Sequence, residues 1–234
     1  MSQTRSLTAI ALIVFAALPA AAQQEKPIEG AAGSPPATVT PNFQVFGGGA
    51  VELSYEEYGK GTGGSISGEV YLEAEARGFY AGVWASPTDQ KDDNEVDLYL
   101  GYRKELASGF KYDFGYTRYY YPNADWDCCG EVTAKFFTPA GDKFGLGLEL
   151  AYDPENSIGN AYVYGEYYPT DVWTVSAKYG SFEVLDAASE TEWEVGATYA
   201  INDETGLDFR YYDGSDYDAY VALNLSFDTT IFGG

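Results

Sequence analysis

Gly78–Ser86, read as Gly-Phe-Tyr-Ala-Gly-Val-Trp-Ala-Ser, is the stretch that decides the fold. Phe79, Ala81, Val83 and Ala85 fall on one side of an extended chain, and Tyr80, Gly82, Trp84 and Ser86 on the other. That period of two, with aromatics at both ends, fits a strand and no helix. A tight Arg77-Gly78 turn precedes it and Pro87 opens a loop after it. The same unit of short turn, alternating strand and polar loop recurs down the chain, which predicts an all-β protein: an antiparallel transmembrane β-barrel.

The bulk composition agrees. With 22 Tyr, 13 Phe and 27 Gly against a single Met, the 234 residues favour strands and turns over helical packing. No internal run of about 18 apolar residues exists for a spanning helix, but a barrel strand needs only about 9–11 residues with alternate ones polar. The 36 Asp and Glu against 13 Lys and Arg give a net charge of −23, which excludes nucleic acid as an electrostatic partner.

Residues 1–22 read as a secretory signal peptide: Arg5 supplies the positive region, Thr8–Leu18 the apolar one, and Ala20-Ala21-Ala22 a cleavage site before Gln23. Residues 23–41, with Pro27, Pro35, Pro36 and Pro41, predict a disordered periplasmic lead-in. Residues 42–234 form the barrel domain.

About twelve strands follow, at 42–56, 65–76, 78–86, 95–105, 109–120, 131–138, 143–152, 160–168, 171–179, 191–200, 205–212 and 217–227. Their connections alternate in length. Ala76–Gly78, Leu106–Gly109, Pro139–Asp142, Pro169–Asp171 and Ile201–Thr205 are tight, whereas Tyr58–Gly64, Pro87–Asn94, Tyr121–Gly130, Asp153–Gly159 and Gly180–Glu190 are longer and polar. Short periplasmic turns with longer extracellular loops are the pattern of an outer-membrane barrel.

The faces agree as well. Phe144, Leu146, Leu148, Leu150 and Tyr152 suit lipid and alternate with Gly145, Gly147, Glu149 and Ala151, which suit a lumen. Tyr102, Tyr116, Tyr119, Tyr120, Tyr121, Trp126, Tyr167, Tyr168, Trp173, Tyr199, Tyr211 and Tyr212 sit near strand ends and are expected to form interfacial girdles. The last strand ends in Phe227, or Phe232 beyond it, an aromatic terminus of the kind read by barrel assembly machinery.

Gly78–Ser86, an acidic loop, Glu95–Tyr102 (Glu-Val-Asp-Leu-Tyr-Leu-Gly-Tyr) and Gly109–Pro122 (Gly-Phe-Lys-Tyr-Asp-Phe-Gly-Tyr-Thr-Arg-Tyr-Tyr-Tyr-Pro) together resemble the TorF family of Gram-negative porins. The resemblance spans roughly residues 65–135. The family's arginine-containing strand has no counterpart around Tyr55–Gly59. The resemblance implies a barrel in the cell outer membrane and brings no catalytic residues.

The chain has no histidine, which removes Ser-His-Asp catalysis and His-ligated zinc. The carboxylates Glu149, Glu166, Glu192 and Glu194 include pairs of the kind that hydrolyse glycosides, but in a wet barrel they read as lumenal acids, so no enzyme is expected. No cofactor or metal is expected either: the loop acids show no EF-hand spacing. Cys128-Cys129 admits a strained vicinal bridge, a bridge to a second chain, or two loop thiols.

The expected pore-lining residues are Asp97, Arg103, Lys111, Asp113, Glu131, Glu149, Glu166, Lys178, Glu192, Glu194, Asp208 and Arg210, with Lys135 and Asp218 on the same faces. Acids outnumber bases, so the expected function is passive, cation-preferring diffusion of ions or small solutes through a monomeric barrel embedded in outer-membrane lipid. Two other readings stand beside it. One is a closed barrel acting structurally or as a surface binder through its acidic loops; the other is a soluble β-protein that binds carbohydrate through exposed aromatics.

Overall fold

The computed structural model describes residues 43–233 apart from 59–60, 88–93, 123–125 and 184–188. The signal peptide, the lead-in and loop acids such as Asp89, Asp92, Asp93, Asp125 and Asp186 lie outside the described residues.

The strands are β1 (Gln44–Tyr58), β2 (Gly61–Ala76), β3 (Phe79–Pro87), β4 (Asn94–Glu105), β5 (Lys111–Tyr121), β6 (Trp126–Pro139), β7 (Phe144–Asp153), β8 (Ile158–Thr170), β9 (Trp173–Phe182), β10 (Glu190–Asn202), β11 (Thr205–Gly214) and β12 (Tyr220–Phe232). Each pairs antiparallel with its sequence neighbours, and β12 closes onto β1 through Leu53↔Leu223 and Val51↔Leu225. The result is a closed twelve-stranded barrel. Closure leaves no unpaired edge, which is the condition for placing strands in hydrocarbon.

Alternation sets the two faces. Val70 is 62% exposed, Leu100 57%, Val163 56% and Phe209 56%, and all face outward. Their strand neighbours Glu69, Tyr99, Tyr162 and Asp208 point the other way, and Tyr162 and Asp208 are buried. An all-round belt of exposed Leu, Val and Phe is a surface for lipid rather than water. This removes the soluble carbohydrate binder.

The turns explain the hairpin registers. Arg77 (φ 55°) and Gly78 (φ 88°) both take positive φ, as a two-residue type I′ hairpin turn requires. At the other rim, the Asp153 carboxylate accepts the backbone N–H of Glu155 (2.7 Å) and Asn156 (3.2 Å) and the Asn156 amide (2.7 Å), closing the β7–β8 turn.

Several expected boundaries move. The Tyr58–Gly64 loop is ladder almost to its tip, with Tyr58 paired to Gly61. β6 starts at Trp126 and takes Cys128 and Cys129 out of the loop, and β12 runs on to Phe232. At the β1–β2 tip the small and polar residues Gly61–Ser65 continue backbone pairing beyond the apolar belt without any alternation of side-chain polarity to mark it. Cys129 is disulfide-bonded, whereas the Cys128 side chain lies outside the described residues.

The girdle divides by parity. Outward rings pair at the short-turn rim, Phe79 with Tyr102 (4.8 Å), Phe144 with Tyr167 (5.0 Å) and Trp173 with Tyr199 (5.0 Å), and Trp193 meets Tyr211 (5.2 Å) towards the other rim. Tyr119, Tyr168 and Tyr212 instead point inward. Tyr119 donates to Glu131 (2.6 Å), Tyr168 donates to Glu166, and Tyr212 stacks on Tyr220 at 4.6 Å.

Candidate functional site: the charged interior

All twelve expected pore-lining residues fall on the inward parity of their strands; register pairs Arg103↔Asp113 and Lys178↔Glu194 directly, and sets Glu149 opposite Lys135. The structure sorts them into three groups along the wall.

The first group gathers on β2–β5 around Arg103. Its Nη2 lies 2.7 Å from Glu73 Oε2, and its Nε lies 3.6 Å from Glu75 and 3.8 Å from Asp113. The guanidinium sits 3.9 Å from the centre of the Tyr80 ring, and the Tyr80 hydroxyl donates to Asp113 at 2.6 Å. A planar, always-charged guanidinium suits this combination of forked carboxylate contacts and ring stacking. Lys111 lies nearby on β5, 3.8 Å from Glu105.

The second group lies on β7–β11. Arg210 donates to Glu194 (2.9 Å), to both oxygens of Asp208 (3.1 and 3.0 Å) and to the Ser176 hydroxyl (3.0 Å). Lys178 meets Glu149 at 2.5 Å and lies 4.7 Å from the Tyr162 ring centre. Glu192 accepts from Tyr217 at 3.3 Å. Tyr217 sits in the β11–β12 loop, where burial pushes its phenol above the ordinary range.

The third group is acidic. Asp97 (2% exposed) and Glu95 are buried on β4, with Glu131 across on β6 holding Tyr119 and the Asn160 amide (3.2 Å). Glu166 stands apart on β8, within electrostatic reach of Lys111 and Arg210 from two other parts of the wall.

Close packing against the wall relies on glycine. A Cβ at Gly147 would lie 1.9 Å from the Tyr164 ring, and one at Gly180 2.1 Å from the Tyr162 ring. The rings lie flat across strand backbones that have no side chain to lift them, a pairing that shields strand glycines.

The ion pairs Arg103–Glu73, Arg103–Asp113, Lys111–Glu105, Lys178–Glu149 and Arg210–Glu194 share one property: each joins strands at most two apart in the barrel order. They hug the wall and do not bridge it. Arg118, by contrast, faces outward near the rim and pairs with Glu155 at 2.5 Å.

Further inward carboxylates belong to the site without having been expected: Glu52 on β1, Glu69, Glu73 and Glu75 on β2, and Asp228 on β12. The alternation in Glu69-Val-Tyr-Leu-Glu-Ala-Glu-Ala76 carries the signal for the β2 members. Among the described residues, no three Asp, Glu or Cys side chains gather as a metal centre.

Solved structures share the architecture. The KdgM porin superposes with a TM-score of 0.60 at 9% identity, covering 76% of this chain and 98% of its own. The NanC porin gives 0.55 at 12% identity, covering 79% and 100%. A KdgM porin in complex with disordered oligogalacturonate gives 0.58 at 9% identity, covering 76% and 98%. At such identities the likeness is one of fold. No curated protein matches the chain in sequence. A family model does, over residues 63–230, and it describes bacterial proteins of unknown function under the name Gcw_chp. The TorF resemblance at 65–135 falls inside that span but is not the name the match carries. With all strands from β3 to β11 inside the matched span, the chain belongs to the Gcw_chp family.

Proposed function

We propose that this protein is an outer-membrane channel of the TorF porin type, exported by its signal peptide, that lets cations and small neutral or cationic solutes diffuse passively. The observation that carries the proposal is the charge arrangement of the interior. Its cations are held along the wall by neighbouring carboxylates, and the inward carboxylates, Glu52, Glu69, Glu95, Asp97 and Glu131 among them, outnumber the inward Lys and Arg. A low-dielectric wall focuses that excess into the lumen and raises the local concentration of cations.

The porin neighbours support a channel through their shared fold. One was determined with oligogalacturonate, a polyanion; the carboxylate-rich interior here opposes such a ligand, so the proposed solutes differ in charge. The barrel acts as a monomer without catalysis, and the assembly machinery engages it through β12 and its terminal aromatic, Phe232. The flat Tyr162 and Tyr164 rings favour a second reading, a closed barrel whose role lies in its loops.

Liposome swelling tests the proposal. Vesicles carrying the refolded protein should admit a cationic solute several-fold faster than an anionic one of the same size. The preference should shrink when Asp97 and Glu131 are both changed to amides. Equal rates, or a preference for the anion, would contradict cation selectivity; no swelling with either would favour the closed barrel.

A further inference from the structure

Glu52 and Glu69 are inward carboxylates on the two strands beside the barrel closure. They lie on neighbouring strands near mid-height, with Glu52 facing Asn224 across the β1–β12 closure and Ser67 across the β1–β2 ladder. Their outward neighbours Val51, Leu53 and Val70 belong to the lipid-facing belt, which places the pair at membrane depth. The groups acting on Glu52 are the Asn224 amide and the Asp208 carboxylate. Those acting on Glu69 are the Trp84 indole N–H, 3.3 Å away, and the carboxylates of Glu52 and Asp228. Neither set contains a Lys or Arg. The guanidinium beside Asp208, that of Arg210, is taken up by Asp208, Glu194 and Ser176.

Asn224 adds an independent observation. It is only 6% exposed, it lies directly opposite Glu52 in the β1–β12 register, and its Oδ1 is buried without a hydrogen-bond partner. A bare amide oxygen opposite Glu52, with Glu69 diagonal to Glu52 on the next strand, makes a row of acceptors with too few donors. Two remedies exist for adjacent carboxylates at membrane depth, a shared proton or a cation. A proton held between Glu52 and Glu69 does nothing for the amide oxygen. A hard cation takes carboxylate and amide oxygens alike.

We infer that Glu52, Glu69 and Asn224 Oδ1 form a binding site for a small inorganic cation in the β12–β1–β2 wall. Two carboxylates and one neutral oxygen are too few for a structural metal centre, so the ion exchanges with the lumen. Its role as a stepping site for permeant cations rests on the channel reading; the binding itself does not.

Terbium(III) is a suitable probe, because Trp84 is bonded to a proposed ligand and tryptophan sensitises terbium emission at short range. The refolded full chain in detergent should show saturable, tryptophan-excited terbium emission that added calcium suppresses. Glu52→Gln, Glu69→Gln and Trp84→Phe should each abolish it, while Glu190→Gln at the rim should leave it intact. Heat-modifiable mobility in electrophoresis confirms that each variant forms a barrel, and Glu52→Gln alone suffices if the others fail to fold. Emission that survives Trp84→Phe or Glu52→Gln, or folded protein without emission, would overturn the site. A silent bilayer with bound terbium would overturn the channel and keep the site; a conducting barrel without emission would do the reverse.

Discussion

Replacing Leu148 with Arg is expected to block stable assembly in lipid, because Arg on a barrel's lipid face costs about 2–4 kcal/mol near the bilayer midplane. Leu148 is the fifth residue of the ten-residue β7 and faces outward between Phe136 and Val163. Leu146 and Leu150, on the same face, are 55% and 40% exposed. The inserted guanidinium has hydrocarbon on one side and no inward route, because the strand backbone lies between it and the lumen. A loss of this size is a large share of the roughly 5–15 kcal/mol that stabilises a folded protein. Urea titration of the protein in vesicles, read by heat-modifiable mobility, measures it, with Leu148→Met as a near-neutral comparison. Normal assembly of Leu148→Arg would show that β7 does not face lipid.

Arg103→Met is expected to cost about 3 kcal/mol, the lower end of the range for removing one partner of a buried ion pair. The lower end applies because the Arg103 side chain keeps 28% of its exposure and water screens part of the pairing. The substitution keeps the length of the side chain and removes the charge. Glu73, at 7% side-chain exposure, then loses its closest cation, and Glu75 and Asp113 lose a shared one. The stack on Tyr80 goes too. Since these groups come from β2, β3, β4 and β5, the damage spreads over four strands, and the unfolding midpoint in urea should fall accordingly. Arg103→Lys should recover only part of the loss, because an ammonium cannot match the fork or the stack. A midpoint unchanged in Arg103→Met would mean that the cluster is solvated and contributes nothing to stability.

Much of this interior was legible in the sequence because a barrel strand has only two faces. Once Val96, Leu98 and Leu100 are placed toward lipid, Asp97 has nowhere to point but inward, and the same argument places Glu149 from Leu148 and Leu150. Tyr119, Tyr168 and Tyr212 show where a looser rule failed: nearness to a strand end suggested a girdle, whereas parity put them inside. Glu69, Glu73 and Glu75 alternate as clearly as any lumenal acids, and the same two-face rule places them inside. The Glu52–Asn224 pairing is different. It crosses the closure of β1 on β12, and residues so far apart in sequence meet only through the accumulated register of every hairpin between them. Strand ends such as Gly61–Ser65 were hidden for a third reason, since backbone pairing outlasts the side-chain pattern there.

Planar-bilayer recording under a KCl gradient tests most directly the proposal of an open, cation-preferring lumen. The refolded protein should give discrete conductance steps, with a reversal potential displaced toward that of potassium. A bilayer that stays silent although incorporation is confirmed, or a reversal potential displaced toward that of chloride, would contradict it.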